Sequence, residues 1–319
     1  MLSYKALVLN GYERPWMLSF SNPTLLLMKL PPYLILLFWL LTSAGAYAQI
    51  SGDSLQTDSL TQAVVLPLSE DSARRYEPVK PNWTYVKSYW YDTKAVVTSP
   101  FRWKGQDWAK AGTIIGVAAL SYAFADGRIQ KFSQEHKSHF TNAASEIVDP
   151  LGNGRYLWIT SGLVFLHGQI FHNDKTTRVG LLILESQLIN GVLGQVVKLA
   201  AGRKRPWDGA RPHEWAGPQY PPFHSFPSGH AQTSFALATV IAEEFKDIKA
   251  VPIISYSLAT LTCLSRLNAN AHWFSDLLVG AAMGHFISKT IVRRHPEHPL
   301  KKRSKVALDF NGQGATLRF

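Results

Sequence analysis

Six long apolar stretches constrain the fold of this chain more than any other feature. Each runs for about 16 to 21 residues without the alternation of apolar and polar positions that marks a half-buried strand. Such lengths favour helices. The sequence therefore predicts an all-α domain built as a six-helix bundle, with helices near residues 109–125, 156–173, 179–199, 228–245, 250–265 and 272–292.

The same stretches approach the length that crosses a membrane, for which about 20 apolar residues are needed. Glu185 interrupts the third stretch, and Glu243 with Glu244 closes the fourth. Two arrangements follow from this. The favoured one is a membrane-embedded bundle, and the alternative is a soluble bundle in the periplasm.

The N-terminal region has the three parts of a secretory signal peptide. Lys29 gives a basic start, an apolar run covers Tyr33 to Leu41, and the small residues Ala46 and Ala48 follow. We predict cleavage after Ala48, with Met28 as the true initiator and an uncleaved anchor as the alternative. If the N-terminus is exported and six spans follow, the end of the bundle that carries residues 198–206 and 227–230 would lie in the cytoplasm. The charges of the loops predict the opposite orientation, so the signal peptide and the membrane-embedded bundle conflict.

The predicted organisation has four parts: a leader (1–48), a tether with an aromatic-rich segment (49–107), the catalytic helical domain (108–292) and a basic tail (293–319). The aromatic residues between Trp83 and Trp108 are typical of a membrane-interface belt or of a segment packed on the bundle. Within the tail, Asn311-Gly312-Gln313-Gly314 predicts a small hairpin.

Charge and cysteine content limit the functional classes. The formal net charge of +11 suits anionic lipid headgroups or phosphorylated substrates. We predict no nucleic-acid partner, because no basic module interleaved with aromatic residues is present. The single cysteine, Cys263, excludes an internal disulfide and a cysteine-based zinc site. Oligomeric state cannot be predicted from these features.

Three clusters place phosphate-binding and proton-transfer groups at predicted helix ends. Lys198 and Arg205-Pro206 close the third helix, although cations there often only complement the helix dipole. Pro227-Ser228-Gly229-His230 opens the fourth helix, where a serine cap and free backbone N–H groups favour an anion. Ser265-Arg266 precedes His272 and Asp276, which are four residues apart, as a hydrogen-bonded imidazole and carboxylate would be.

Taken together, Lys-x6-Arg-Pro, Pro-Ser-Gly-His and Ser-Arg-x5-His-x3-Asp resemble the three signature motifs of the type 2 phosphatidic acid phosphatase and vanadium haloperoxidase superfamily. The resemblance covers about residues 109 to 292 and fills every specified motif position. It implies the six-helix bundle of that superfamily and a metal-independent phosphatase that needs no cofactor. A lipid-linked phosphomonoester or pyrophosphate is the implied substrate, and the protein would act through a phosphohistidine.

The resemblance also implies a role for each motif residue. His272 would be the nucleophile, held by Asp276, and His230 would protonate the leaving group and then activate water. The phosphate oxygens would be bound by Lys198, Arg205, Ser228, Gly229 and Arg266. No residue is implied as a metal ligand.

Two other enzymes remain open at this point. One is a soluble periplasmic acid phosphatase of broad specificity, and the other is a haloperoxidase that holds vanadate in the same anion site. A decayed, non-enzymatic scaffold is disfavoured because the motifs are complete. Lys175, Arg178, Lys246, Lys249 and the basic tail fall at the end opposite the motifs. The protein is therefore expected in a bacterial-type cell envelope, in the membrane, with the active site facing the periplasm.

The segment from Trp207 to Phe226 joins two of the motifs and carries four prolines besides several aromatic residues. Because it connects motif to motif, it must pass near the site. We expect it to shape the entrance.

Overall fold

The computed structural model describes residues 81–218, 225–296, 307–311 and 314–318. These residues form nine α-helices and one two-stranded antiparallel sheet. The helices are α1 (Trp83–Val97), α2 (Gly105–Leu120), α3 (Asp126–Glu135), α4 (His139–Val148), α5 (Gly154–Ile170), α6 (Asp174–Ala201), α7 (Gly229–Glu244), α8 (Ala250–Asn268) and α9 (Phe274–Arg294).

Short connections complete the helical region. Three 3₁₀ turns lie at Ser99–Arg102, Asp149–Gly152 and Pro206–Asp208. A π-helical turn, Ser121–Ala125, joins α2 to α3. Such π turns are rare and often stand at functional sites, and this one leads directly to the buried side chain of Asp126.

The predicted helical bundle is confirmed, because each of the six apolar stretches contains a helix: α2, α5, α6, α7, α8 and α9. The predicted count of six is not confirmed: the domain predicted at 108–292 also contains α3 and α4, and α1 lies in the segment predicted as a tether. The helix α4 is ten residues long and is capped by Ser138, which accepts a hydrogen bond from the backbone N–H of Thr141. Its short length explains why no long apolar stretch marks it.

The core of the bundle lies between α5, α6, α7 and α9. The fully buried side chains there include Leu157, Val164, Leu182, Val240 and Ile291. Removing water from apolar side chains of this size is the main favourable term in folding, at about 1.5–3 kcal/mol for each. This is the main apolar core of the bundle, and a smaller cluster of Ala231, Leu267 and Leu277 lies where α7 and α9 begin and α8 ends.

Two glycines in α9 let α7 approach closely. A Cβ atom built on Gly280 would lie 2.5 Å from the carbonyl oxygen of Ser228, and one on Gly284 would lie 2.2 Å from that of Gln232. Neither distance is possible for real atoms, so larger side chains would push the helices apart. The close approach brings the start of α7 against the start of α9, where two of the motifs lie.

The ends of α6 and α8 meet the starts of α7 and α9 at one face of the bundle. We call the face that holds the starts of α7 and α9 the motif end. At the opposite end, the carboxylate of Glu244 at the close of α7 binds Lys175 and Arg178 at the start of α6, each at 2.9 Å. Arg178 also donates to the carbonyl oxygen of His295 after α9. Lys175 and Arg178, which were predicted to lie opposite the motifs, are therefore found there.

Three helical segments are long and apolar enough to cross a membrane: Gly105–Glu135, Asp174–Ala201 and Ala250–Asn268. The most apolar windows of the first and third are only 11% and 22% buried within the protein. Ile115 on α2 and Ile253 on α8, for example, are 67% and 69% exposed. Exposed apolar side chains along helices of this length are typical of a surface that contacts lipid.

Glu185, which interrupts the third apolar stretch, points into the bundle and is fully buried. Its carboxylate accepts a hydrogen bond from the hydroxyl of Tyr85 at 2.9 Å and lies 3.3 Å from Nε2 of His295. Burial alone would lower the pKa of His295, but hydrogen bonds to Asp92 and Glu185 raise it to about 9. The charge inside this predicted span is therefore paired within the protein.

The aromatic-rich segment divides between its two predicted roles. Tyr85 is buried against the bundle, whereas Trp83, Trp90 and Phe101 are 69%, 70% and 91% exposed. The predicted hairpin is present, with β1 (Ala307–Asn311) paired antiparallel to β2 (Gly314–Arg318). The predicted leader and cleavage position lie outside the described residues, and the predicted domain boundaries stay predictions.

Candidate active site

The three motifs meet at the motif end of the bundle. The backbone N–H of Ser228 donates to the carbonyl oxygen of Asp276 at 3.0 Å, which joins the second motif to the third. The ammonium group of Lys198 donates to the carbonyl oxygen of Pro227, which joins the first motif to the second. The predicted convergence is therefore present in the structure, and it depends on the close packing of α7 on α9.

His272 lies just before α9 and is only 2% exposed. Its Nδ1 is 2.7 Å from the carbonyl oxygen of Ser225. A carbonyl oxygen can only accept a hydrogen bond, so Nδ1 carries the proton and Nε2 keeps its lone pair. Burial, with the nearby charges of Arg205 and Lys198, lowers the pKa of His272 to about 3. The imidazole is thus neutral near pH 7, as a nucleophile must be.

Asp276 holds His272 less directly than the four-residue spacing predicts. The shortest approach, from Nδ1 of His272 to Oδ2 of Asp276, is 3.8 Å, which is too long for a hydrogen bond. Instead, Oδ2 accepts a hydrogen bond from the hydroxyl of Ser225 at 2.6 Å, while the carbonyl group of Ser225 holds the imidazole. At 3.8 Å the carboxylate can still stabilise positive charge that develops on the ring.

A fully buried arginine, Arg203, anchors Asp276 from the other side. Its guanidinium group lies 2.5 Å from Oδ1 of Asp276 and 2.7 Å from Oδ2 of Asp126. Asp126 in turn accepts hydrogen bonds from the backbone and hydroxyl groups of Ser275 at 2.9 Å and 2.6 Å. The rings of Tyr122, Trp215 and Trp273 surround the guanidinium at 5.1 to 5.5 Å. The network fixes the start of α9, and with it His272.

His230 lies in the first turn of α7 and faces a carboxylate that the motifs do not include. Its Nε2 is 3.3 Å from Oδ1 of Asp149, and Nη2 of Arg266 contacts the same oxygen. Burial opposes ionisation of Asp149, but the nearby imidazole of His230 and the charge of Arg266 outweigh it and hold the pKa of Asp149 below its ordinary value. Asp149 is therefore an anion that contacts two predicted functional groups.

The remaining motif residues surround the same space. Ser228 caps α7, because its side-chain oxygen accepts from the backbone N–H of Ala231 at 3.4 Å. A Cβ atom on Gly229 would lie 3.8 Å from Cε of Lys198, so the lysine side chain passes directly beside this backbone. Burial lowers the pKa of Arg205 to about 10, which leaves it charged at neutral pH. The N-terminus of α7 and these cations together suit a phosphate group.

The segment between Trp207 and Phe226 contributes aromatic groups beside the site. The guanidinium group of Arg205 lies 4.3 Å from the centre of the Trp207 ring. The indole N–H of Trp215 donates to the hydroxyl of Tyr122 at 3.1 Å, and the Trp215 ring contacts Phe226 at 5.4 Å. Residues 219–224 lie outside the described part, so the predicted entrance stays a prediction.

Sequence reasoning missed four residues of this site: Asp126, Asp149, Arg203 and Ser225. Arg203 lies two residues before the motif residue Arg205 but is not itself a motif position, and nothing in the local spacing marks the other three. Their partners are distant in the sequence, as for Asp126 and Arg203, which are 77 residues apart. No pattern within a single helix reports such a contact.

One set of side chains in the described part of the chain has metal-ligand spacing. Ligand atoms of Asp92, Glu185 and His295 lie within 4.8 Å of one another, which the sequence did not predict. This trio is at the opposite end from His272, and Arg294 already binds Asp92 there. It supplies no group to the motif end.

A buried neutral histidine, a second histidine beside a carboxylate, three cations and a helix N-terminus define a phosphoryl-transfer site in a helical bundle. The profile of the PAP2 superfamily matches residues 179–299. An undecaprenyl-diphosphatase of Sulfolobus acidocaldarius is 31% identical over 148 residues, which cover 46% of this chain and 68% of that protein. The chain belongs to the PAP2 superfamily, and the predicted family and phosphatase class are confirmed.

Other relatives share shorter or weaker matches. A lipid A 1-phosphatase of Porphyromonas gingivalis is 32% identical over 37% of this chain, but the match spans only 25% of that protein. A lipid A 1-phosphatase of Rhizobium etli is 25% identical over 59% of this chain and 83% of that protein. A transmembrane PAP2 type phosphatidylglycerolphosphate phosphatase from Bacillus subtilis has a TM-score of 0.40 at 18% identity, over 66% of this chain and 94% of its own.

Proposed function

We propose that this protein is a membrane phosphatase that removes phosphate from a lipid-linked phosphomonoester or pyrophosphate without a metal ion. The observation that carries the proposal is the environment of His272. Nδ1 of His272 donates its proton to a backbone carbonyl, which leaves the lone pair of Nε2 for attack. The charges of Lys198 and Arg205 lie near this imidazole, and the charge of Arg266 lies near Arg205. That arrangement favours attack on an anionic phosphorus centre.

In the first step, Nε2 of His272 attacks phosphorus and forms an N–P bond. The bond from phosphorus to the leaving oxygen breaks, and its electron pair stays on that oxygen. His230, in the protonated form, transfers its proton to the leaving oxygen. Lys198, Arg205 and Arg266 stabilise the charge on the phosphoryl oxygens, and Asp276 stabilises the positive charge on the ring of His272.

In the second step, His230 is neutral and removes a proton from water as the water oxygen attacks phosphorus. The N–P bond breaks, and its electron pair returns to Nε2 of His272. The products are inorganic phosphate, neutral His272 and protonated His230, so the site is ready for another cycle. The same imidazole thus serves as acid and then as base.

Two observations support a lipid substrate: the exposed apolar surface of the candidate spans and the similarity to lipid phosphatases. Two of the three candidate spans have only 11% and 22% of their most apolar windows buried within the protein, and one of them, α8, also carries Arg266. The relatives described above are named for undecaprenyl diphosphate and lipid A. These observations favour a lipid phosphatase over a soluble acid phosphatase or a vanadium haloperoxidase.

A panel of substrates tests this function. Purified protein in detergent should release phosphate from prenyl pyrophosphates, phosphatidyl phosphates or lipid A phosphates, and it should keep its activity in excess EDTA. Vanadate should inhibit, because a trigonal-bipyramidal oxyanion fits the same cations and helix N-terminus. Loss of activity in EDTA that Mg²⁺ restores would contradict the metal-independent mechanism.

We also propose that the motif end faces the periplasm. The support comes from Lys175 and Arg178, and from Lys246, Lys249 and Arg293, all of which lie at the opposite end. Positive loops of membrane proteins stay preferentially in the cytoplasm. A lipid phosphate in the outer leaflet of the inner membrane would then reach His272 from the side of the bilayer.

Membrane fractionation tests this placement. The protein should stay in membranes after a carbonate wash, and a tag after Phe319 should resist protease added to spheroplasts. A tag at a periplasmic loop, such as between Gly209 and Pro212, should be cut under the same conditions and serves as the control. Release by carbonate, or cleavage of the C-terminal tag in intact spheroplasts, would contradict the proposed placement.

A further inference from the structure

The turn Asp149–Gly152, between α4 and α5, contacts His230 at both of its ends. At the first end, Oδ1 of Asp149 is 3.3 Å from Nε2 of His230. At the second, a Cβ atom on Gly152 would lie 2.9 Å from Cβ and Cδ2 of the same histidine. The imidazole therefore rests on the backbone of Gly152 while its nitrogen faces the carboxylate.

The same turn is fixed to the helix that carries Arg266. The hydroxyl of Thr262 on α8 donates to the carbonyl oxygen of Val148 at 3.2 Å, and its methyl group would lie 2.7 Å from a Cβ atom on Gly152. Arg266, one helical turn further along α8, contacts the carboxylate of Asp149. The position of Asp149 is thus set by α8 as well as by its own turn.

A carboxylate at this position weakens the binding of phosphate, because the two negative charges repel each other. Burial, with the neighbouring charges of Arg266 and Arg205, lowers the pKa of His230 below its ordinary value, and Asp149 is the acidic group that opposes this shift. A general acid must carry a proton when the leaving oxygen departs. Asp149 should therefore accelerate the step in which the leaving oxygen departs.

We propose that Asp149 is a positioning residue for His230: its carboxylate orients the imidazole and stabilises the protonated form that donates to the leaving oxygen. This inference rests on the proposed function. It gives the site two histidine and carboxylate pairs, with Asp276 serving His272 and Asp149 serving His230. The first pair is contained in the sequence motifs, whereas the second arises only from the packing of the turn.

The test compares Asp149→Asn on two phosphate monoesters with different leaving groups. With a short-chain alkyl phosphate, whose leaving oxygen needs a proton, we expect kcat to fall by about 10²-fold, within the range that general acid help supplies. With p-nitrophenyl phosphate, whose leaving group departs without a proton, we expect a loss at least about tenfold smaller. A purely structural defect would lower both rates equally.

Three further variants sharpen the result. His230→Ala should show the same preference for the better leaving group, and the double variant Asp149→Asn with His230→Ala should lose little more than His230→Ala alone. Gly152→Ala, which displaces the imidazole, should reproduce the preference. Asp247→Asn, at an exposed position beyond α7, is the matched control and should leave both rates unchanged.

Each other outcome overturns the inference. Equal losses on the two esters would show a structural role, and a lower KM with unchanged kcat would show that Asp149 only blocks the anion site. Unchanged rates would show no role. Wild-type protein that hydrolyses both esters establishes the phosphatase activity separately, so a failure of the inference is distinguishable from a failure of the proposed function.

Discussion

Replacement of His272 by alanine should abolish phosphate release from every substrate, with a loss of at least about 10⁴-fold, as is usual when a covalent nucleophile is removed. The reason lies in the geometry of the ring. Nδ1 is committed to the carbonyl oxygen of Ser225, so only Nε2 is available to attack phosphorus. No other imidazole among the described residues combines that restraint with burial among Lys198, Arg205 and Asp276.

The measurement is phosphate release at saturating substrate, together with thermal unfolding in detergent to show that the variant is folded. His136→Ala is the control, since His136 is exposed and its Nδ1 contacts only the carbonyl oxygen of Phe132 in its own helix. It should retain full activity. If a folded His272→Ala protein turned over at a rate close to that of the control, His272 would not be the nucleophile.

Replacement of Arg203 by methionine should give the largest loss of stability among single changes at the motif end. The change leaves the buried carboxylates of Asp126 and Asp276 without their shared cation. Breaking a buried ion pair by removing one partner costs about 3–5 kcal/mol. Since Asp276 then loses its anchor, activity should fall as well, even in protein that remains folded.

Lys204→Met is the matched control for this prediction. Lys204 is the next residue, its side chain is 37% exposed, and it pairs with Glu214 at 3.1 Å. An exposed ion pair contributes about 0–1 kcal/mol, so this variant should melt close to the wild type. Where Arg203→Met does not fold, Asp126→Asn gives a milder form of the test and should still lower the melting temperature. If Arg203→Met and Asp126→Asn both had the same melting temperature as the Lys204→Met control, the buried ion pairs would not stabilise the motif end.

The sequence predicted the parts of this molecule that depend on local pattern. The six helices α2 and α5 to α9 follow from long apolar stretches, and the convergence of Lys198, His230 and His272 follows from motifs at helix ends. The hairpin between Ala307 and Arg318 follows from its turn residues. In each case the determining residues lie within one helix or one turn, so their spacing carries the information.

What the sequence could not predict depends on contacts between distant residues. The spacing of His272 and Asp276 suggests a direct hydrogen bond, yet Ser225, which is 51 residues from Asp276, lies between them. Asp149 reaches His230 because a turn before α5 packs on both α7 and α8. Contacts of this kind arise from the packing of α7 on α9 and of the turn on α8. The spacing of residues within a single helix does not predict them.

Covalent phosphate on His272 tests the central claim most directly. The most favourable protein is His230→Ala with radiolabelled p-nitrophenyl phosphate, because attack can proceed while the base for the second step is missing. After rapid quenching in alkali, we predict an acid-labile label on the peptide that contains His272, and no label in the variant that also lacks His272. Label on a different residue, or label that persists after His272 is replaced, would contradict the account.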